Sequence, residues 1–351
     1  MESPTKKPIE AANVSVTPRD EPPPTAPARG ALRRVAGILI SDPISWRGGV
    51  EVIEEEGAWG KRVMQGVFYR VALLPLFAIL FAAGAVYLKT HPKQASYMSD
   101  PMSRGVFYQP VVMMSDDHVR LDGWLAPALD AEQVIDQGLE ALRTKSPAVV
   151  LAHGFGMSPR QVLDLFRPLH DKGYVVLAIS MRGAGSATPA GETLGLNEAM
   201  DIKAGVDLLR KRVYVDAKRI AVVGIGSGAN AAILAADKDP TLAALVLDAP
   251  TETGAQAFAQ HVEFKHSALT FLNPVCKLAF ELAYGVETRD LDLSRYGPVL
   301  AARPTLLMRW SNDAQGSLPQ ERVDQIVEFI SKAIDKPAPE ADGKDPADND
   351  R

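Results

Sequence analysis

Residues 219–236, RIAVVGIGSGANAAILAA, restrict the fold more than any other stretch of this chain. Residues 219–223 are a short β-branched run that reads as a buried strand. From Ser227 onward small residues take a helical pattern, so Gly224 to Gly228 must turn the chain sharply from strand into helix. A strand that is apolar on both faces needs cover on both sides, which is the demand of a parallel strand in a layered sheet. The same unit recurs along the chain. Runs 106–114 and 119–126, joined by a polar turn at 115–117, form a hairpin. A helix over 130–144 and a strand over 147–152 follow. Then come helix 158–172, strand 174–179, helix 195–213, strand 219–223, helix 227–238, strand 242–247, strand 304–308 and helix 319–334. The expected fold is α/β, a doubly wound, mostly parallel sheet. Residues 251–300 are too long for a tight connection and partly helical. They are expected to form a small cap insert over the carboxyl ends of the strands, where such sheets bind ligands.

The run VALLPLFAILFAAGAVYL, which begins at Val71 and ends at Leu88, carries no charge and is closed by Arg70 and Lys89. At 1.5 Å per residue it nearly crosses a hydrocarbon core, and Phe68, Tyr69 and Tyr87 supply interfacial aromatics. It is apolar all round, with no polar stripe to mark a half-buried core helix. It also starts too late for a cleaved signal peptide. An uncleaved signal anchor is expected, a single-pass transmembrane helix over 67–89 with the lipid bilayer as its partner. Lys61, Arg62 and Arg70 precede the run, while Lys89, Lys93 and Arg104 follow it. Arg33, Arg34 and Arg47 farther upstream favour an inside N-terminus and an extracytoplasmic C-terminal domain.

Around this helix, residues 1–30 are Pro-rich and charged and read as a disordered arm. Residues 31–66 form a juxtamembrane segment, and 90–104 a linker. Residues 105–335 form the main domain, and 336–351 an acidic disordered tail. With 351 residues and 46% hydrophobic content, the chain can bury one core of roughly 200–250 residues. A net charge of -5 without a basic cluster gives nucleic acid nothing to bind. The single Cys276 excludes an intrachain disulfide and sits in an apolar helical pattern as a core thiol. No His or carboxylate cluster has metal-ligand spacing, and the glycines of GIGSG lack the lysine of a phosphate-binding loop, so neither metal nor nucleotide cofactor is expected.

Several short motifs fall at the ends of the expected strands: the hairpin DDHVRLDGWLAPA, His153-Gly154-Phe155-Gly156, Met181-Arg182-Gly183-Ala184-Gly185, Asp248, and Trp310-Ser311-Asn312-Asp313. In this order and placement the chain resembles an α/β-hydrolase of the serine-hydrolase branch that contains esterases, acyl-aminopeptidase-like and lysophospholipase-like proteins. The resemblance covers roughly residues 106–334. It implies an HGxG oxyanion segment at His153, an RGxG loop at Arg182 and the catalytic acid at Asp248 or Asp313. It also implies a nucleophile elbow, G-x-S-x-G, over Gly224 to Gly228.

That chemistry needs a hydroxyl activated by an imidazole, an acid fixing the imidazole, and backbone N–H groups facing the developing oxyanion. The elbow pattern puts Gly226 where the serine belongs, with Ser227 one place late and expected to cap the following helix. The family's histidine follows the last strand, yet no histidine occurs after His266. His153, His170, His118 and His91 have structural placements. Only His261 and His266, in the cap insert, lie where they could approach Ser227. The expectation is therefore a degenerate hydrolase fold. The N–H groups of Phe155 and Ser227, beside Gly226, would bind a small acyl or carboxylate ligand, or the cap insert would bind a protein partner. The alternative is an active serine hydrolase that uses Ser227 with His261 or His266 and Asp248 or Asp313 in a rearranged triad.

Overall fold

The computed structural model describes residues 58–92, 99–128, 135–136, 138, 145–184, 190–265, 268–309 and 318–335. The arm 1–30, the tail 336–351, most of the expected helix 130–144, His266 and the segment from Trp310 to Asp313 lie outside the described residues.

The first described element is α1, Ala58–Thr90, a 33-residue helix with Pro75 inside it. Its stretch Lys61–Thr90 is long and apolar enough to cross a membrane, by length and composition. Large side chains along it, among them Val71, Leu74 and Leu80, are exposed, while Ala82 and Val86 of its second half are buried in the core of the α/β domain.

The α/β domain begins with the antiparallel hairpin β1, Gln109–Met114, and β2, Arg120–Ala126. The central strands are β3, Ser146–Ala152, β4, Val175–Ile179, β5, Val215–Ile225, β6, Ala244–Asp248, and β7, Thr305–Met308. They form a seven-stranded sheet in the order β1-β2-β4-β3-β5-β6-β7. From β4 to β7 every neighbouring pair is parallel. The connecting helices are α2, Phe166–Asp171, α3, Glu198–Arg210, α4, Ser227–Lys238, and α8, Gln320–Ile334. Between β6 and β7 the cap is helical, with α5, Gly254–His261, α6, Asn273–Tyr284, and the short α7, Gly297–Ala301.

Alternation along the strands explains the two layers. Ala148 and Val150 of β3 and Ile220 and Val222 of β5 face one core, shared with Ile202 of α3 and Ile233 of α4. Val149, Leu151, Ala221 and Val223 face the opposite core, with Phe166 of α2 and Ile326 of α8. Because successive strand side chains point to opposite faces, a continuous apolar run fills both cores at once. Each fully buried Val, Leu or Ile adds roughly 1.5–3 kcal/mol. Cys276 is buried in the first of these cores, as a core thiol should be.

Several boundaries differ from the sequence expectation, among them β1, which starts at Gln109 rather than at 106, and α3, which spans Glu198–Arg210 rather than 195–213. β5 starts at Val215, four residues early, because Val215 pairs with Ser146 across a register shift between Ser146 and Ala148. The expected helix 158–172 is a 3-10 segment, Pro159–Leu165, followed by α2.

The strand order reverses direction of growth at β3: the chain passes from β3 to β4 on one side, then to β5 on the other. The loops after β3 and β5 therefore diverge at their carboxyl ends and leave a crevice there. The segment after β3 and the strand-to-helix turn after β5 face each other across it.

Candidate functional site

One residue, Gly226, separates the end of β5 from the start of α4, and its φ of 56 and ψ of -118 lie in a region favouring glycine. Its N–H donates to Asp248 O at 2.8 Å, and its carbonyl accepts from the N–H groups of Ala229 and Asn230. A Cβ on Gly226 would meet only Gly154 Cα, at 3.7 Å, so there is room for a side chain. The flanking glycines have none. A Cβ on Gly224 would lie 2.3 Å from Gly228 O, and one on Gly228 would lie 2.6 Å from both Ala152 O and His153 O. Packing thus requires glycine at 224 and 228, while position 226 has room for a side chain.

Ser227 does not cap α4, contrary to expectation. Gly226 occupies the flanking, non-helical position, so Ser227 is already the first helical residue. Among the described residues its hydroxyl has no hydrogen-bond partner.

A cavity of about 580 Å³ opens over this turn. Phe155, Gly226 and Ser227 line it from the strand ends, and His261 and Lys265 line it from the cap. In the segment after β3 the Gly154 N–H donates to Gln161 Oε1 at 2.8 Å and the Gly156 N–H to Glu192 Oε2 at 2.7 Å. The Phe155 and Ser227 N–H groups, by contrast, have no partner among the described residues. Two free donors beside the positive end of the 12-residue α4 suit an anion or a polarised carbonyl oxygen.

The histidines fall into separate roles. Buried His153 accepts the Met181 N–H at Nε2, 3.0 Å away, which leaves its proton on Nδ1, 3.0 Å from Gly154 O. It bridges two loops as a neutral ring, and burial pulls it down to about 4. His261, the last residue of α5, lines the cavity with Ser227, and its ring lies 4.6 Å from that of Phe155. Burial and the neighbouring Lys265 ammonium pull His261 down to about 4. Among the described residues it has neither a hydrogen bond to Ser227 nor a carboxylate partner. His91 bonds Tyr87 O at the end of α1, His118 sits in the hairpin turn with φ 62, and His170 ends α2.

Asp248 is buried at the end of β6 and is ion-paired with Arg322 Nη1 of α8. The structure therefore brings Ser227 and His261 to one cavity but engages Asp248 elsewhere. Asp313 and His266 lie outside the described residues. Among the described residues no group of three His, Cys, Asp or Glu side chains converges as a metal site.

Three polar arrangements had no local signal in the sequence. Arg182 is 4% exposed and holds two carboxylates, Asp117 of the hairpin turn at 2.7 Å and Asp201 of α3 at 2.7 Å. Asn230 of α4 accepts from the Thr251 N–H and donates to Thr251 Oγ1, tying the elbow helix to the first residue of the cap. Glu192 supports the segment after β3 through Gly156, while its Oε1 is buried without a partner among the described residues. Residues 36 apart meet here, so only the tertiary fold brings them together.

Glu192 sets a pH dependence. Burial pushes its acid well above 4.5; the Gly156 N–H opposes this and the nearby Glu198 carboxylate adds to it. The fold therefore favours the neutral acid. Below about 4.5 both folded and unfolded chains hold the proton. As pH rises the unfolded chain releases it first, so this contribution to stability is lost as pH climbs toward the folded value. Glu192→Gln removes that titration while keeping an acceptor for Gly156. Thermal unfolding from pH 4 to 9 is expected to show the wild type losing Tm relative to Glu192→Gln as pH rises. A pH-independent difference would contradict this.

Residues 149–342 match the profile of an alpha/beta hydrolase family. No curated protein matches the chain. Solved structures with a similar fold include an esterase from Pyrococcus furiosus, 21% identical over 70% of this chain and 99% of its own, with a TM-score of 0.47. An alpha/beta hydrolase from Penicillium sp. is 16% identical over 66% of this chain and 100% of its own, with a TM-score of 0.44. An acylaminoacyl peptidase from Pyrococcus horikoshii is 16% identical over 70% of this chain and 45% of its own, with a TM-score of 0.42. With its doubly wound sheet, its strand-to-helix elbow at Gly226 and its matched residues, the chain belongs to the alpha/beta hydrolase family.

Proposed function

We propose that this protein is a membrane-anchored alpha/beta hydrolase relative that has lost acyl-transfer chemistry and binds a small acyl or carboxylate ligand in the cavity over Gly226. The observation that carries the reading is Gly226 itself, an elbow residue with nucleophile geometry and no side chain. The base is the second gap, since residues 267–351 contain no histidine. What survives of the family's machinery is its binding half: the free Phe155 and Ser227 N–H groups, the α4 terminus, and the Lys265 ammonium at the cavity wall. These hold a carboxylate without turning anything over. Anchoring is supported by the uncharged run from Val71 to Leu88 and the exposed apolar side chains of α1. The basic residues upstream favour an extracytoplasmic domain.

Hexanoate is expected to bind the full-length protein in nanodiscs, observed by saturation-transfer NMR. Lys265→Glu is expected to weaken it by roughly tenfold, the equivalent of about 1.4 kcal/mol. Absence of binding to the wild type would contradict the ligand reading.

A second reading rests on Ser227 and His261 sharing one cavity: an active hydrolase with a rearranged triad. Against it stand the missing hydrogen bond between them and the engagement of Asp248 by Arg322. A third places a protein partner on the cap, and crosslinks from residues 251–300 would favour it. Gly226→Ser separates loss of the nucleophile from loss of the whole apparatus. Its Cβ fits, and its strained dihedrals cost on the order of 1–3 kcal/mol, so the variant should fold. Hydrolysis of p-nitrophenyl butyrate is expected to stay at background, because no base receives the serine proton. Enzyme-dependent turnover would reveal a base that this account lacks.

A further inference from the structure

We infer that the outer face of cap helix α6 is a second membrane-contacting surface, seated in the leaflet next to α1. The inference rests on the anchor reading given above, and it extends membrane contact from one helix to the cap that covers the cavity.

The C-terminal half of α1 supplies a depth gauge. Lys89 ends the uncharged run, so it marks the headgroup level, and each helical residue before it lies about 1.5 Å deeper. Phe81, eight residues earlier, is thus roughly 12 Å below Lys89 along the helix. Its ring stacks on Phe264 of the α5–α6 connection, with centroids 6.1 Å apart and planes 20° apart. Lys89 Nζ reaches the same ring, 4.8 Å from its centroid. Phe264 therefore lies between the levels of Phe81 and Lys89, on the hydrocarbon side of the boundary. The ammonium there is not left bare, since it donates to the carbonyls of Val262 at 2.7 Å and Glu263 at 2.8 Å.

Two further contacts fix the direction of α6. Its first residue, Asn273, accepts the Phe264 N–H at 3.0 Å, which ties the start of α6 to the deep end. Its last residue, Tyr284, bonds Thr90 Oγ1 at 2.5 Å, which ties the end of α6 to the headgroup level. Between them Ala279 and Ala283 line one crevice with Ala83 and Val86 of α1. Small side chains of this kind let two helices approach closely in lipid. Helix α6 thus runs alongside the outer end of α1, start deep and end shallow.

The side of α6 turned away from the core is apolar where a water-facing helix would be polar. Phe271, just before the helix, is 70% exposed, Leu278 is 57% exposed and Leu282 is 74% exposed. Their spacing of seven and four residues places them along one face. Lys277 and Glu281 border that face as an i,i+4 pair, and Lys277 is long enough to lay its stem along the apolar surface and present its charge to lipid phosphates. The occupant of this face is the acyl region of the leaflet, because the Phe81–Phe264 and Thr90–Tyr284 contacts set α6 beside the stretch of α1 on which Leu80 and Leu88 are also exposed. His261 and Lys265, on either side of Phe264 in the chain, are cavity-lining residues, so the cavity rim sits at the membrane surface.

The test uses the full-length chain in nanodiscs of phosphatidylcholine and phosphatidylglycerol. Single cysteines at Leu278→Cys and Leu282→Cys carry an environment-sensitive nitrobenzoxadiazole label. Val213→Cys, exposed before β5 at the amino ends of the strands, is the control. Native Cys276 is buried and leaves the introduced thiols as the labelling sites. The expected result is blue-shifted emission and quenching by doxyl lipids at 278 and 282, with quenching by aqueous iodide at 213 only. Iodide quenching at 278 and 282 equal to that at 213, in protein that resists alkaline carbonate extraction, would overturn the cap inference and leave the anchor standing. Release of the chain by carbonate would overturn both.

Discussion

Gly228→Ala is expected to destabilise the domain by about 3 kcal/mol or more, at the upper end of what overpacking costs. The added Cβ would fall 2.6 Å from the carbonyl oxygens of Ala152 and His153, which are backbone and cannot rotate away. Relief requires either lifting α4 off the sheet or pulling the end of β3 out of its ladders with β4 and β5. At 2–4 °C per kcal/mol for a domain of this size, Tm should fall by roughly 6–12 °C. Gly226→Ala is the matched control. Its Cβ has an ordinary 3.7 Å contact, and only the positive φ is unfavourable, on the order of 1–3 kcal/mol. Thermal unfolding by circular dichroism should therefore rank wild type above Gly226→Ala above Gly228→Ala. Equal effects at the two positions would mean that α4 does not approach β3 as closely as described. The contrast also bears on the proposed function: packing demands glycine at 224 and 228, whereas position 226 has room for a side chain.

Arg182→Ala is expected to cost about 3–5 kcal/mol, the range for removing one partner from a buried ion pair. Asp201, fully buried, would lose its guanidinium partner and keep only the Arg182 backbone N–H at 2.8 Å. Asp117 would lose both of its arginine bonds. Burial alone would raise Asp117, but the bonds from Arg182 and Ser115 outweigh it and hold its carboxyl below the usual carboxylate range. Because that depressed pKa contributes stability above the unfolded value and loses it as pH falls, the penalty in Arg182→Ala should shrink on acidification. Urea unfolding at pH 7 and pH 4 would measure both. Arg182→Lys should recover only part of the loss, since one ammonium cannot serve two carboxylates in the fork geometry of a guanidinium. A loss near zero for Arg182→Ala would show that the three-way contact is not formed in solution.

The sheet was legible in the sequence because its strands are buried on both faces. β3, β4 and β6 are uninterrupted apolar runs bounded by polar or turn residues, and each falls within two residues of its expected position. The early start of β5 was hidden, because residues 215–219 are half polar and are held in the sheet through pairing with Ser146 rather than by their own apolarity. The elbow was legible from GIGSG alone, since a strand run and a helix run were separated by glycines with no room for a loop. The role given to Ser227 was not. A serine at a helix start ordinarily caps it, but the elbow gives that position to Gly226 at positive φ, and spacing alone does not reveal which residue takes it. The polar contacts were the least legible. Asp248 meets Arg322, Glu192 meets Gly156 and Arg182 meets Asp117 only after the strands are in order, and no local pattern announces these pairs. His261 could be placed in the cap from sequence, but that it has no carboxylate partner among the described residues could be read only from the structure.

The central claim, that this elbow supports binding but not acyl transfer, is tested most directly by a fluorophosphonate probe on the folded, full-length protein, read by intact mass. Attack on phosphorus requires a hydroxyl with a base beside it, whereas Gly226 carries no side chain and His261 makes no hydrogen bond to Ser227 among the described residues. The account predicts the unmodified mass at saturating probe while the protein retains its native unfolding transition. A stoichiometric adduct on Ser227, abolished by Ser227→Ala, would contradict it.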